Sequence, residues 1–160
     1  MKNVFVTGCT GYIGSHTCVE LLDSGYEVVG LDNFSNSKPK VLDSIREITS
    51  KDIKFYEGNM LDRDILVKIF SENKIDVVID FAAYKSVGDS VSNPVDYYIN
   101  NVSSVLTLLS VMMEFNVKNI ILVVLLQYMV ILRLFLLLKS VKQAILLILM
   151  VLVSYIVKEY

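Results

Sequence analysis

The chain has 160 residues, enough for one domain with a core of its own, and its formal net charge of −2 makes no electrostatic case for nucleic acid as a partner. Its two cysteines, Cys9 and Cys18, have neither metal-ligand spacing nor a pairing framework, so no metal site and a reduced, cytoplasmic setting are expected. The N-terminal run reads as a core strand and not as a secretory signal.

In chain order, Val4, Phe5 and Val6 predict a short apolar strand, and Thr7-Gly8-Cys9-Thr10-Gly11-Tyr12-Ile13-Gly14 turns directly into a helix predicted over residues 15–22. A strand feeding a glycine turn at a helix N-terminus aims unpaired N–H groups and the positive end of the helix dipole at one point, where a pyrophosphate can sit. Gly8 allows the tight turn, Gly11 the close approach of phosphates, and Gly14 the close packing of helix on strand. The residues alone also permit a bland reading, since glycines end strands for steric reasons. A second strand, Glu27–Asp32, ends in a carboxylate about twenty residues beyond the glycines, where a ribose hydroxyl would be gripped. An acid there repels a 2′-phosphate, so NAD is expected over NADP.

Further on, helices are predicted over 41–49 and 62–72, strands over 53–57 and 77–81, a long helix opened by Pro94 over 94–115, and a fifth strand over 117–121. Alternation of this kind predicts an α/β, doubly wound parallel sheet, Rossmann-like. Val105, Leu108, Leu109, Met112 and Met113 share a helical face expected to be core. Cys9 reads as a small turn-filling residue, a reactive thiol being the alternative, and His16, the only histidine, as structural.

Four blocks then carry a resemblance: Val6 to Thr17 around the glycines, Leu31 to Ser37, Phe81 to Gly88, and Pro94 to Val102. In this order they resemble the UDP-glucose 4-epimerase family, extended short-chain dehydrogenase/reductases of the NAD-dependent epimerase/dehydratase group, and the likeness covers residues 1 to about 121. The resemblance implies NAD as cofactor and a UDP-sugar substrate. It places Tyr12 and Ile13 at the pyrophosphate, and Asp32, Asn33, Phe34, Ser35, Asn36 and Ser37 at the adenosine ribose. Asn59 and Met60 fall beside the adenine, Phe81, Ala82, Ala83, Tyr84 and Lys85 along the cofactor, and Asn100 in contact with it. Three positions depart from the family, which has Asp where Asn59 stands, His where Asp80 stands and Gly where Ala83 stands; Asn59 still accepts and donates hydrogen bonds. The family is homodimeric, an assembly not expected to be retained here.

Beyond Ile121 the composition changes. Residues 120–160 number 41, of which 28 are Leu, Ile, Val, Met or Phe, with no Gly, Pro, Thr, Asp or Asn to punctuate them. A membrane hairpin is one reading, but its limbs, 120–138 and 144–157, fit poorly: Gln127 and Arg133 lie inside the first, and the second is short of the roughly 20 residues of a span. A frameshift accounts for more. Codons with T in the middle encode the 28 apolar residues and codons with A in the middle a further 9, as though the wobble position of an AT-rich gene were read one base out of frame. Read back by one base, Met129-Val130 and Met150-Val151 must each yield Gly, and permitted codons give Ser-Ser-Ser-Ala-Thr-Val-Tyr-Gly and Thr-Asn-Pro-Tyr-Gly-Thr-Ser-Lys, both motifs of the family. Residues 1–121 are therefore expected to be a partial cofactor-binding domain, and 122–160 out-of-frame translation.

In the family a Tyr, its pKa lowered by a Lys four residues on, takes the proton of the sugar 4-hydroxyl while hydride passes to NAD; Ser or Thr steadies the proton. None of the nine tyrosines here is followed four residues later by Lys; Tyr155 and Lys158 are one residue short. No catalytic residue is assigned, and the chain is expected to be inactive as written. Alternatives are a non-catalytic NAD-binding or membrane-attached protein, or another nucleotide-sugar epimerase or dehydratase.

Overall fold

The computed structural model describes residues 2–123. Five parallel strands, β1 (Asn3–Thr7), β2 (Glu27–Asp32), β3 (Lys54–Glu57), β4 (Val77–Asp80) and β5 (Ile120–Leu122), lie in the order β3-β2-β1-β4-β5. Phe5 pairs with Val29 on one side and Val78 on the other, so β1 is the centre of the sheet. Its residues alternate between faces, as a strand's period of two requires. Val4 and Val6 pack with Val28, Ile79, Cys18, Leu22 and Ile45 against α1 (Tyr12–Asp23) and α2 (Lys40–Thr49). Phe5 faces the other way, into Leu66, Ile69 and Phe70 of α3 (Arg63–Glu72) and Leu108, Leu109, Val111 and Met112 of α6 (Ser104–Glu114). Burial on both faces is why these strands read as continuous apolar runs.

The boundaries follow local chemistry. Asp62 caps α3, its Oδ1 accepting from the backbone N–H groups of Asp64 at 3.0 Å and Ile65 at 3.4 Å. At the end of α6, Asn116 turns left-handed at φ 58° and lets the Val117 N–H reach the Met112 carbonyl at 2.8 Å. That turn occupies the residues predicted to begin the fifth strand, which starts instead at Ile120 and runs through Leu122, beside Asp80.

Two further expectations are corrected. The long helix predicted over 94–115 is α5 (Pro94–Tyr98), a π-helical turn (Ile99–Ser103) and α6, and it is preceded by a short helix, α4 (Val87–Ser92), that was not predicted. Met113 is not core: it is 60% exposed, and Val111, fully buried, completes the inward face. All but residues 120–123 of the segment weighed as a membrane hairpin, and the tyrosines from Tyr128 onward, lie outside the described residues. No helix among the described residues is long and apolar enough to cross a membrane.

Candidate functional site

The chain leaves β1 for helices on one side of the sheet and returns through β4 on the other, so β1 and β4 flank the point where strand order reverses. Ligands of doubly wound sheets bind at the strands' carboxyl ends beside such a point. A cleft of about 120 Å³ opens there, lined from the ends of β1, β2, β3 and β4 and from the π-helical turn.

Steric limits account for the glycine turn. Gly8 has φ +63°, and a Cβ there would stand 2.9 Å from the Ala82 nitrogen. On Gly14 a Cβ would lie 2.1 Å from the Gly8 carbonyl oxygen, so the third glycine lets the first turn of α1 close onto the turn itself more than onto a strand. Gly11 is different: its missing Cβ would meet only the Gly8 oxygen at 3.2 Å, and the residue lines the cleft. Gly11 is also the N-cap of α1, which has no side-chain cap and no acidic residue in its first turn. The amides of Gly8, Cys9, Thr10 and Gly11 are committed to Leu31, Asp32 and Gly8, so the expected open donors of the glycine turn are instead the N–H groups of the first turn of α1, from Tyr12 on; with the positive helix end they form a donor set that fits a dinucleotide's pyrophosphate.

Asp32 closes the adjoining side. Its Oδ2 accepts from the Thr10 backbone N–H at 3.0 Å, and its Oδ1 from the Phe34 N–H at 2.9 Å and the Ser37 hydroxyl at 3.3 Å. A carboxylate offers about four acceptor positions, so roughly one, on Oδ2, stays open to a ligand hydroxyl. Asn33 orders the same loop by accepting from the Ser35 N–H at 3.0 Å.

Asn59 folds back, its Oδ1 accepting from the Leu61 N–H at 2.9 Å, which leaves its amide nitrogen as the group for the cleft. On the β4 side, Asn101 clamps Tyr84 through both backbone groups: its Oδ1 accepts from the Tyr84 N–H at 2.8 Å, and its Nδ2 donates to the Tyr84 carbonyl at 3.0 Å. The π-helical turn brings Asn100 and Asn101 to that loop together, with the Asn100 amide donating to Asn101 at 3.0 Å and the Ser104 hydroxyl to the Asn100 carbonyl.

Asp80 is 3% exposed and holds the start of the loop, accepting on Oδ1 from the Thr7 hydroxyl and from the Ala82 N–H at 3.1 Å. Burial raises its pKa, opposed by those two bonds and by the charge of Lys85. Desolvation lowers the Lys85 pKa, with Asp80 opposing.

Of the residues singled out from sequence, Gly11, Asp32, Asn33, Ser35, Asn36, Ser37, Asn59, Met60, Phe81, Ala82, Ala83, Tyr84 and Asn100 line the one cleft. The others do not. Gly8 and Gly14 sit behind it as steric necessities, and Tyr12 and Ile13 stand exposed on the first turn of α1. Phe34, left-handed at φ 55°, stacks on Phe55 with centroids 5.3 Å apart, and Lys85 lies beyond the lining. Leu31, Gly58 and Ser104 also line the cleft and were not anticipated, nor were the roles of Thr10 and Asn101; no residue pattern announces a side chain whose partner is far along the chain.

Cys9 and Cys18 are fully buried, and burial pushes the Cys18 thiol up to about 12 and Cys9 higher still. Cys9 fills space under Gly30, where a Cβ would lie 2.7 Å from its Sγ, which is the turn-filling arrangement expected, and burial disfavours its reactive thiolate form. No cluster of His, Cys, Asp or Glu among the described residues could hold a metal ion.

Residues 5–126 match the family model described as GDP-mannose 4,6 dehydratase. The UDP-glucose 4-epimerase of Bacillus subtilis is 52% identical over 118 residues, 74% of this chain and 35% of that protein. That of Haemophilus influenzae is 55% identical over 116 residues, 72% of this chain and 34% of its own. The crystal structure of UDP-glucose 4-epimerase from Bifidobacterium longum in complex with NAD+ and UDP superposes with a TM-score of 0.75 at 47% identity, covering 76% of this chain and 36% of that one. The Brucella ovis enzyme in complex with NAD gives 0.68 at 35% identity, again over 76% of this chain and 35% of that one. The chain thus spans about a third of the length of these relatives. With its residues 5–126 matched by that model, the chain belongs to the family described as GDP-mannose 4,6 dehydratase, and its described part corresponds to the N-terminal, NAD-binding region of the UDP-glucose 4-epimerases.

Proposed function

We propose that residues 2–123 bind NAD, and that the chain is the cofactor half of a UDP-glucose 4-epimerase that does not turn over substrate as written. The observation that carries the first part is the Asp32 carboxylate, fixed by three donors beside an uncapped helix N-terminus with one acceptor position open. The open N–H groups of the first turn of α1, beside Gly11, take the pyrophosphate, Asp32 accepts from a ribose hydroxyl, and the loops of Asn33 to Ser37, Asn59 to Met60 and Phe81 to Tyr84 flank the nucleotide, with Asn100 beside them. Bound NAD supplies a hydride acceptor for the sugar 4-carbon. The residue that would take the 4-hydroxyl proton is missing, because no Tyr-x-x-x-Lys occurs in the chain.

A UDP-sugar is the substrate of the intact enzyme in this reading, in the cytoplasm and without a membrane. Residues 122–160 are read as out-of-frame translation, the break lying where ATT-TTA for Ile121-Leu122 would arise by loss of one T from ATT-TTT-A. Inserting one base at that point in the gene and assaying the product with UDP-galactose tests the reading. A serine-rich strand end, a Tyr-x-x-x-Lys pair and epimerase activity should return together. An early stop, or a restored frame without that pair, refutes the frameshift. A different nucleotide-sugar epimerase or dehydratase is the second reading, favoured by the match to the dehydratase family model; activity of the restored product on another nucleotide-sugar alone would select it.

A further inference from the structure

The glycine turn and the loop after β2 are joined by a chain of hydroxyls. Thr10, between Gly8 and Gly11, is 2% exposed, and its Oγ1 lies 2.6 Å from Ser37 Oγ. Ser37 Oγ donates to Asp32 Oδ1 at 3.3 Å, while Asp32 Oδ2 accepts from the Thr10 backbone N–H at 3.0 Å. An ionised carboxylate only accepts, so the single hydroxyl proton of Ser37 is committed to Asp32. The proton between the two hydroxyls therefore belongs to Thr10, and donation runs from Thr10 through Ser37 to the carboxylate. A buried hydroxyl left without a partner is costly, so Thr10 favours the one loop position that satisfies it.

We propose that Thr10 is a positioning residue for nucleotide specificity: through Ser37 it locks the loop of residues 33–37 and the Asp32 carboxylate to the phosphate-binding turn. The inference rests on the NAD-binding reading above. Rejection of a 2′-phosphate needs an acid that cannot retreat. On a free loop Asp32 would swing aside and admit the extra charge; clasped to both segments, it keeps its open acceptor position where a ribose hydroxyl arrives.

The test titrates NAD and NADP against the full chain in mild detergent, with the melting temperature of the unliganded chain measured alongside. Thr10→Val keeps the side chain's size and the backbone N–H but removes the hydroxyl; Thr10→Ser restores it; Ser37→Ala removes the middle of the chain. Thr10→Val is expected to weaken NAD binding roughly three- to tenfold and NADP binding less, so that the preference for NAD falls. Thr10→Ser should keep the preference, and the double variant should lose no more than the larger single loss, because both act on one chain. If Thr10→Val does not fold, Ser37→Ala carries the same comparison. Equal losses for both nucleotides, or additive losses in the double variant, overturn the proposal. An unaltered chain that binds neither nucleotide overturns it together with the NAD-binding reading; an unaltered chain that binds NAD beside a Thr10→Val variant of unchanged preference overturns the proposal alone.

Discussion

At the scale of single residues, Asp80 is a buried carboxylate whose titration bears on stability. Burial holds its carboxyl above the ordinary value of 3.8, so the folded chain keeps a proton that the unfolded chain has released. Stability therefore falls as pH rises from that ordinary value through the raised one. Asp80→Asn leaves an oxygen for the Thr7 and Ala82 donors and removes the titration. Its melting temperature is expected to be flat across the window and to equal or exceed that of the unaltered chain at neutral pH; an unaltered chain with an equally flat profile contradicts the assignment. Asp32 was legible in the sequence, because a strand-terminal acid at that distance from the glycines has few other uses. Thr10 and Asn101 were not, since their partners, Ser37 and Tyr84, are far along the chain and are met only after folding.

At the scale of elements, the turn between β1 and α1 tolerates least. Gly14→Ala places a Cβ 2.1 Å from the Gly8 carbonyl oxygen, a backbone atom that cannot move without carrying the turn with it. The expected cost is about 3 kcal/mol or more, with NAD binding lost in whatever fraction still folds; melting curves and a titration check both, and a variant within about 0.5 kcal/mol of the parent would show the turn to be slack. Strands β1, β2 and β4 were readable from their apolar runs, and α3 from its capping Asp62. Helix α4, a polar Val-Gly-Asp-Ser-Val-Ser stretch, carries no periodic signal. The π-helical turn inside the predicted long helix is equally silent in sequence, because one extra residue per turn leaves helical spacing almost unchanged on either side. The Met113 error has a similar origin: the inward face of α6 is centred one position away, toward Val111.

At the scale of the whole molecule, two cores on opposite faces of one sheet hold the cleft's walls. Leu108, with no exposed surface, sits in the larger core with Phe5, whose ring meets Phe70 edge-on at 5.5 Å. Leu108→Ala is expected to cost about 2–5 kcal/mol, read by denaturant unfolding, and a loss under about 1 kcal/mol would contradict the packing described. The apolar composition of residues 122–160 predicts poor solubility of the full chain in plain buffer, and monodisperse protein without detergent would count against reading that segment as out of frame.

The central claim is that the described part of the chain is an NAD site with its specificity set at Asp32, and equilibrium titration of the full chain with NAD and with NADP tests it most directly. Saturable binding of one NAD per chain, tighter than that of NADP, is the predicted result; no saturable binding, or NADP binding the tighter of the two, would contradict it.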